Sequence, residues 1–227
     1  MIFAISDTHF DGRQNKPMDV FSEVWENHME KIKLNWTRLI SENDTVLMAG
    51  DISWALKLED AYDDLKFIDE LPGNKIISRG NHDYWWHSLK KMNEMGFKSI
   101  RFLQNDAHSA ENFEVAGTRG WTDSSSKEFK EGDEKFINRE LIRLELSLRA
   151  AKKNRPIITM LHYPPFDNDK KPNVFHNMMK KYNVEICVYA HLHGKGHDKA
   201  VEGDIDGIKY FLSSSDYIDF TPIIVAE

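Results

Sequence analysis

The sequence predicts an α/β fold built on largely parallel strands. Three observations carry that expectation. Five short runs are rich in β-branched and other apolar residues: IFAI at 2–5, TVLMA at 45–49, KIIS at 75–78, IITML at 157–161 and EICVY at 185–189. Each reads as a buried strand. Segments with helical spacing lie between them, and strand and helix alternate, as parallel pairing requires.

Taken in order, the first helical segment places Phe21, Val24, His28, Ile32, Trp36 and Leu39 on one stripe. A second follows TVLMA, with Leu58, Ala61 or Tyr62, Leu65 and Ile68, and a third carries Ile137, Leu141, Leu144, Leu148 and Ala151. FEVAGT at 113–118, IKYFLSS at 208–214 and PIIVA at 222–226 look like further strands with fewer helices between them, which points to a second or mixed sheet. The polar, serine-rich stretch 122–135 has no period and is expected to be a mobile surface loop bordering a site.

A chain of 227 residues, 41% hydrophobic and 30% charged, is expected to form one domain over 1–227 with an ample core. A formal charge of −7 argues against gripping duplex nucleic acid through its phosphates. Lys152 and Lys153, like Lys180 and Lys181, read as solvated helix ends. The one cysteine, Cys187, lies in an apolar run, so a small buried side chain and a reducing compartment are expected. MIFAISDTH lacks a basic leader region and no apolar stretch is long enough for a span, so no membrane contact and a cytoplasmic location are expected.

The residues that follow each run carry the chemistry. IFAIS leads into Asp7 and His9, TVLMAG into Asp51, KIISRG into Asn81, His82 and Asp83, IITML into His162, and EICVYA into His191 and His193. In an α/β sheet, ligands bind beyond the carboxyl ends of parallel strands, so these groups are expected to share one pocket. Asp7 and His9 are two apart, as are His191 and His193, and in extended geometry the members of each pair point the same way. Gly50 and Gly80 remove the side chain just before Asp51 and Asn81, letting the backbone turn tightly.

Oxygen and nitrogen donors without thiolate suit Mn²⁺, Fe or Zn²⁺ and argue against a structural zinc site. Asp7, His9, Asp51, Asn81, His162, His191 and His193 are too many for one tetrahedral ion but suit two ions sharing a carboxylate. Two carboxylates against two divalent ions leave the site net positive, so it would attract a phosphate ester although the protein is acidic.

In this order of elements (Asp-x-His, Gly-Asp, Gly-Asn-His-Asp, His, His-x-His, residues 7 to 193) the chain resembles the calcineurin-like metallophosphoesterases. The resemblance implies a sandwich of two mixed β-sheets flanked by helices. It also implies a first ion held by Asp7, His9, Asp51 and His193, a second held by Asp51, Asn81, His162 and His191, and His82 as a non-ligand catalytic residue. The reaction implied is hydrolysis of a phosphomonoester or phosphodiester, on a small or nucleotide-like substrate, by a hydroxide bridging two divalent ions. Two departures stand out: Ala190 replaces the usual glycine before the last pair, and ISWALK follows Gly50 and Asp51 where the Ser/Thr phosphatase branch has a second acid and Arg-Gly. The latter leaves His82 without a carboxylate partner on that loop.

Other residues have plainer readings beside the chemical one. Trp54, Tyr84, Trp85, Trp86, Trp121, Tyr163 and Phe166 adjoin the ligand loops and could rim a site, but packing beneath long loops is the expectation for most. Arg119 suits either a phosphate or a structural ion pair. His28 belongs to the helix stripe, and His87, His108, His176 and His197 match no motif. The competing function is a metal-binding or interaction module that keeps the fold without turnover.

Overall fold

A computed structural model describes residues 1–11 and 18–227. The strands are β1 (Ile2–Ala4), β2 (Thr45–Met48), β3 (Asn74–Ile77), β4 (Ile100–Phe102), β5 (His108–Ala110), β6 (Phe113–Thr118), β7 (Ile157–Leu161), β8 (Val184–Tyr189), β9 (Gly203–Ile205), β10 (Ile208–Leu212) and β11 (Ile223–Ala226). The helices are α1 (His28–Leu39), α2 (Tyr62–Glu70), α3 (Leu89–Asn93), α4 (Glu134–Ala150) and α5 (Val174–Lys181).

Two mixed sheets result, ordered β11-β1-β2-β3-β4 and β5-β6-β7-β8-β10-β9. Strands β1 to β4 run parallel, as do β6, β7, β8 and β10. Strands β11, β5 and β9 join antiparallel at or beside the edges. PIIVA therefore completes the first sheet beside β1, while FEVAGT and IKYFLSS belong to the second.

The period of two along each strand explains the layers. In β1, Ile2 and Ala4 face Met160, Ile158 and Val188 of the other sheet, whereas Phe3, with Ile5 just beyond the strand, faces Ile32 and Trp36 of α1 and Leu65 and Ile68 of α2. On the far side, Leu161, Cys187 and Tyr189 pack against Leu144 and Leu148 of α4 and Phe175 and Met179 of α5. With helices on one side and a second sheet on the other, the strands have no polar face, and each fully buried Ile or Leu contributes about 1.5–3 kcal/mol. Cys187 is a buried free thiol. Among the described residues no helix is long and apolar enough to cross a membrane.

The expected first helix is shorter than its apolar stripe. Ser22 caps a 3-10 turn over Glu23–Trp25, and Asn27 takes a left-handed φ of 55°, so α1 begins only at His28. Phe21 and Val24 are consequently exposed, and Trp25 is the residue that enters the core. Lys152 and Lys153 follow α4 and Lys180 and Lys181 form the last turn of α5, all exposed as expected. Strands β4, β5 and β9 and helices α3 and α5 were outside the sequence expectation, being short or interrupted by polar residues.

The sheets are joined where β1 ends. Ser6 N donates to Ser213 O (2.7 Å) and Ser215 N to Ser6 O (3.0 Å), so the chain leaving β1 pairs with the chain leaving β10. Ala49 N donates to Ser6 Oγ (2.7 Å), and Ser213 Oγ donates to Tyr189 O (3.0 Å). The Ser6 hydroxyl proton is therefore directed to Ser213 Oγ, 2.8 Å away. We expect Ser6→Ala to strand the buried Ala49 amide and to lower unfolding stability by about 1–3 kcal/mol in urea titration. A change within experimental error would show that this junction does not hold the sheets together.

Candidate metal centre

Every side chain expected in the pocket follows the carboxyl end of a parallel strand, and the junction at Ser6 brings both sets of strand ends together. Pairing continues past the strands: Asp7 N donates to Gly50 O, His9 N to Asp51 O and Phe10 N to Ile52 O, at 2.9–3.0 Å. The pairs do not converge by extended geometry, however. Asp7, His9, Asp51 and His191 have φ of 53°, 45°, 53° and 75°. Left-handed turns, unusual for residues with a Cβ, swing these side chains inward instead.

The loops carrying Asp51 and Asn81 touch through their backbones. A Cβ on Gly50 (φ 94°) would lie 2.4 Å from Gly80 N, and one on Gly80 would lie 2.1 Å from Asp51 Oδ1. Glycine is thus required at both positions, at Gly80 by space alone. Asp83 locks the contact. Its Oδ2 accepts from Asp51 N (2.9 Å) and Gly80 N (2.7 Å), and its Oδ1 from Ile52 N (2.9 Å) and Trp85 Nε1 (3.0 Å). Burial, and then the neighbouring Asp51 carboxylate, push Asp83 up to about 6. At neutral pH it remains the acceptor that all these donors need.

The remaining geometry is that of a place for cations. Asp7, His9 and His193 present ligand atoms within 4.8 Å of one another, and so do Asp7, Asp51 and His162. His162 Nδ1 donates to Ala49 O (2.9 Å). Its Nε2 then faces Asn81 Oδ1 (2.6 Å), Asp51 Oδ2 (3.4 Å) and His191 Nδ1 (3.3 Å), each able to present a lone pair. Lone pairs converging on a buried point call for a cation, and here a second proton on His162 serves. Burial lowers His162, but the charge of Asp51 outweighs it and holds the imidazole up at about 9. Burial also raises Asp51, yet His162 beside it keeps that carboxyl well below the usual range.

On the other side, Asp7 Oδ1 and His193 Nε2 are buried, lack hydrogen-bond partners and lie 3.8 Å apart. Asp7 Oδ2 accepts from His191 N (2.8 Å), which leaves Oδ1 to face inward. Burial raises Asp7 against the pull of His193 and His162. His9 is held down to about 3, chiefly by burial, so its ring is neutral and free to ligate. Asp51 Oδ2 lies 3.9 Å from His9 Nε2 as well as 3.4 Å from His162 Nε2, so one oxygen reaches both groups. The donor set fits divalent ions.

His82 lies beside the cluster. Its amide donates to Asp51 Oδ1 (2.7 Å), its ring is 4.7 Å from Trp54 and 5.9 Å from His9, and its buried Nδ1 has no partner. Burial lowers its basicity, against the pull of Asp51. No carboxylate pairs with it among the described residues.

Sequence reading missed Asp216. Its Oδ1 accepts from His193 Nδ1 (2.8 Å) and its Oδ2 from Gly194 N (3.1 Å), which turns His193 Nε2 toward Asp7. His197 Nε2 lies 3.2 Å from the same carboxylate. A positional signal was present, since IKYFLSS leads past Ser215 into Asp216 much as the other runs lead into the candidate ligands.

The flanking aromatics divide. Trp85 is core, Trp86 packs on Phe102, and Phe166 is buried. Trp54 stacks on His9 at 4.8 Å, Tyr163 lies 4.3 Å from His191, and Tyr84 is exposed. The stretch after Gly120 forms turns whose Thr122, Asp123, Ser126 and Glu128 line a cleft of about 370 Å³ with Tyr163, Leu192, His191 and His193.

Comparison with known proteins agrees with this geometry. A family model described as calcineurin-like phosphoesterase matches residues 1–195. An uncharacterised protein of Methanocaldococcus jannaschii is 30% identical over 125 residues, which is 53% of this chain and 65% of that protein. Among solved structures, a protein of unknown function from Aquifex aeolicus superposes with a TM-score of 0.53 at 17% identity, over 98% of this chain and 94% of the other. The phosphopantetheinyl hydrolase of Mycobacterium tuberculosis superposes with a TM-score of 0.61 at 13% identity, over 99% and 96%. At such identities the likeness is one of fold.

Asp216→Asn is expected to weaken Mn²⁺ binding by about 10–100-fold, because His193 loses the partner that fixes its tautomer and direction. Calorimetric titration of the purified variant checks this. Unchanged affinity would mean that the Asp216 carboxylate does not orient a metal ligand.

Proposed function

We propose, since the chain belongs to the calcineurin-like phosphoesterase family, that it hydrolyses small phosphate esters with the aid of two divalent ions. The observation that carries this reading is the buried ring of acceptors around His162 Nε2, joined through Asp51 to the unpartnered Asp7 Oδ1 and His193 Nε2. Asp7, His9, Asp51 and His193 would hold one ion, and Asp51, Asn81, His162 and His191 the other. When bound, such ions (Mn, Fe or Zn) supply an activated water and neutralise the charge of the phosphoryl group.

The chain's own residues do the rest. Asp51 is assigned the shared ligand, since its Oδ2 reaches both groups while Oδ1 is tied to the His82 amide. His82 is assigned to the substrate: its unpartnered ring stands beside the cluster, placed to hydrogen-bond a phosphoryl or leaving-group oxygen. In the cleft, Tyr163 and Leu192 offer apolar surface, whereas Asp123 and Glu128 disfavour a strongly anionic leaving group. An uncharged alcohol is the leaving group this lining suits. With Cys187 a buried free thiol, a reducing compartment such as the cytoplasm is the proposed location.

The test is parallel assay of the Mn²⁺-loaded protein on p-nitrophenyl phosphate and bis(p-nitrophenyl) phosphate. Turnover is expected on at least one, with preference separating monoesterase from diesterase, and a chelator should abolish it. Asp51→Asn should remove turnover, while His82→Ala should lower kcat by about 10²- to 10⁴-fold and leave both ions bound. Silence on both esters with two ions bound would favour a binding module, and near-normal activity in Asp51→Asn would contradict the two-ion assignment.

A further inference from the structure

Apart from the metal-ligand cluster, a cavity of about 250 Å³ lies beyond the carboxyl ends of β3, β4 and β6. Arg79, Arg119 and Arg143 line it, with Glu140 of α4 as the one carboxylate in the wall. Glu140 is fully buried and already committed. Its Oε2 accepts from Thr118 Oγ1 (2.6 Å), and its Oε1 serves Arg143 Nη1 (2.8 Å), Arg139 Nε (3.4 Å) and Arg119 Nη2 (3.7 Å). Arg79 makes no hydrogen bond or ion pair with any described residue, and its Nε, like that of Arg119, is buried and unpartnered. Asp83 is the other carboxylate that acts on Arg79, but N–H donors occupy both its oxygens.

Three guanidinium groups thus line the cavity against one committed carboxylate, with Arg119 largely buried and Arg143 partly open to solvent. Arginine does not escape by losing its proton, so the excess charge persists until an anion meets it. Arg79 has its whole guanidinium fork left without a partner among the described residues, and Arg119 keeps an unpartnered Nε–H, so both have donors left for the paired oxygens of a phosphate. The volume is below the roughly 300 Å³ at which pockets for drug-sized ligands begin, so it suits a single phosphate-sized group. We propose that this cavity is a second anion site, in which Arg79 and Arg119 grip a phosphate group.

The site shares backbone with the metal centre. Arg79 stands two residues before Asn81, and Arg119 O accepts from His162 N (3.0 Å) and Tyr163 N (2.9 Å). The phosphate comes either from free inorganic phosphate or from a second phosphate on the substrate. The proposal stands whether or not the metal centre turns over.

Inorganic phosphate, titrated calorimetrically into the full chain loaded with Mn²⁺, tests it. Saturable binding is expected to survive Asp51→Asn, which disables the proposed metal centre, and to weaken at least tenfold when Arg79→Met is added to that variant. His193→Ala replaces Asp51→Asn, and Arg119→Met replaces Arg79→Met, should circular dichroism show either to be unfolded. A substrate-borne phosphate is indicated if Arg79→Met raises KM for an alkane-1,4-diol bisphosphate at least tenfold but leaves that for p-nitrophenyl phosphate unchanged. A free anion is indicated if the bisphosphate does not displace phosphate from the cavity. Absence of saturable binding in folded Asp51→Asn, or the same affinity in folded Asp51→Asn with Arg79→Met as in Asp51→Asn alone, overturns the proposal.

Discussion

The centre depends on a contact between two backbones that leaves no room for a side chain. Gly50 and Gly80 meet there, and the buried carboxylate of Asp83 holds them by collecting amides from both loops. Because Asp51 follows one glycine and Asn81 and His82 follow the other, this single lock fixes the spacing among two proposed ligands and the proposed catalytic histidine. The arrangement costs something. A second carboxylate beside Asp51 raises the electrostatic energy of both, which the amide donors offset by favouring the charged form of Asp83.

Strain and charge are concentrated at the same strand ends. Left-handed backbone at Asp7, His9, Asp51 and His191 typically costs on the order of 1–3 kcal/mol per residue, and only a well-packed surround maintains it. Three apolar layers and the serine junction between the sheets provide that surround. Charge is distributed with opposite imbalance in two neighbouring places. Around His162 acceptors are in excess and a cation is wanted; around Arg79 cations are in excess and an anion is wanted.

Much of this was legible from residue order. Strand runs such as IITML and FEVAGT coincide with β7 and β6, because burial on both faces favours apolar and β-branched residues, with Glu114, Thr118 and Thr159 buried as well. The convergence of these candidate donors was legible because parallel strands deliver their carboxyl ends to one edge, so a donor after each run is a spatial statement as well as a sequential one. The start of α1 was not, since Phe21 and Val24 continue the helical period although Asn27 breaks the backbone before His28. Nor was the role of Asp216, which its place after a strand run does not reveal and which depends on β10 lying beside β8.

What the sequence determined by itself was therefore the alternation of buried strands and helices and the kinds of donors placed at their ends, because both follow from local periodicity and composition. Tertiary structure alone decided how those donors are aimed. Left-handed turns rather than extended pairs direct Asp7, His9 and His191 inward, Asp83 binds two loops through amides that carry no sequence signature, and Arg79 and Arg119 are brought around one cavity by strands of different sheets. Each of these is a contact between residues distant in the chain, and its energy depends on distances that only the packed sheets define.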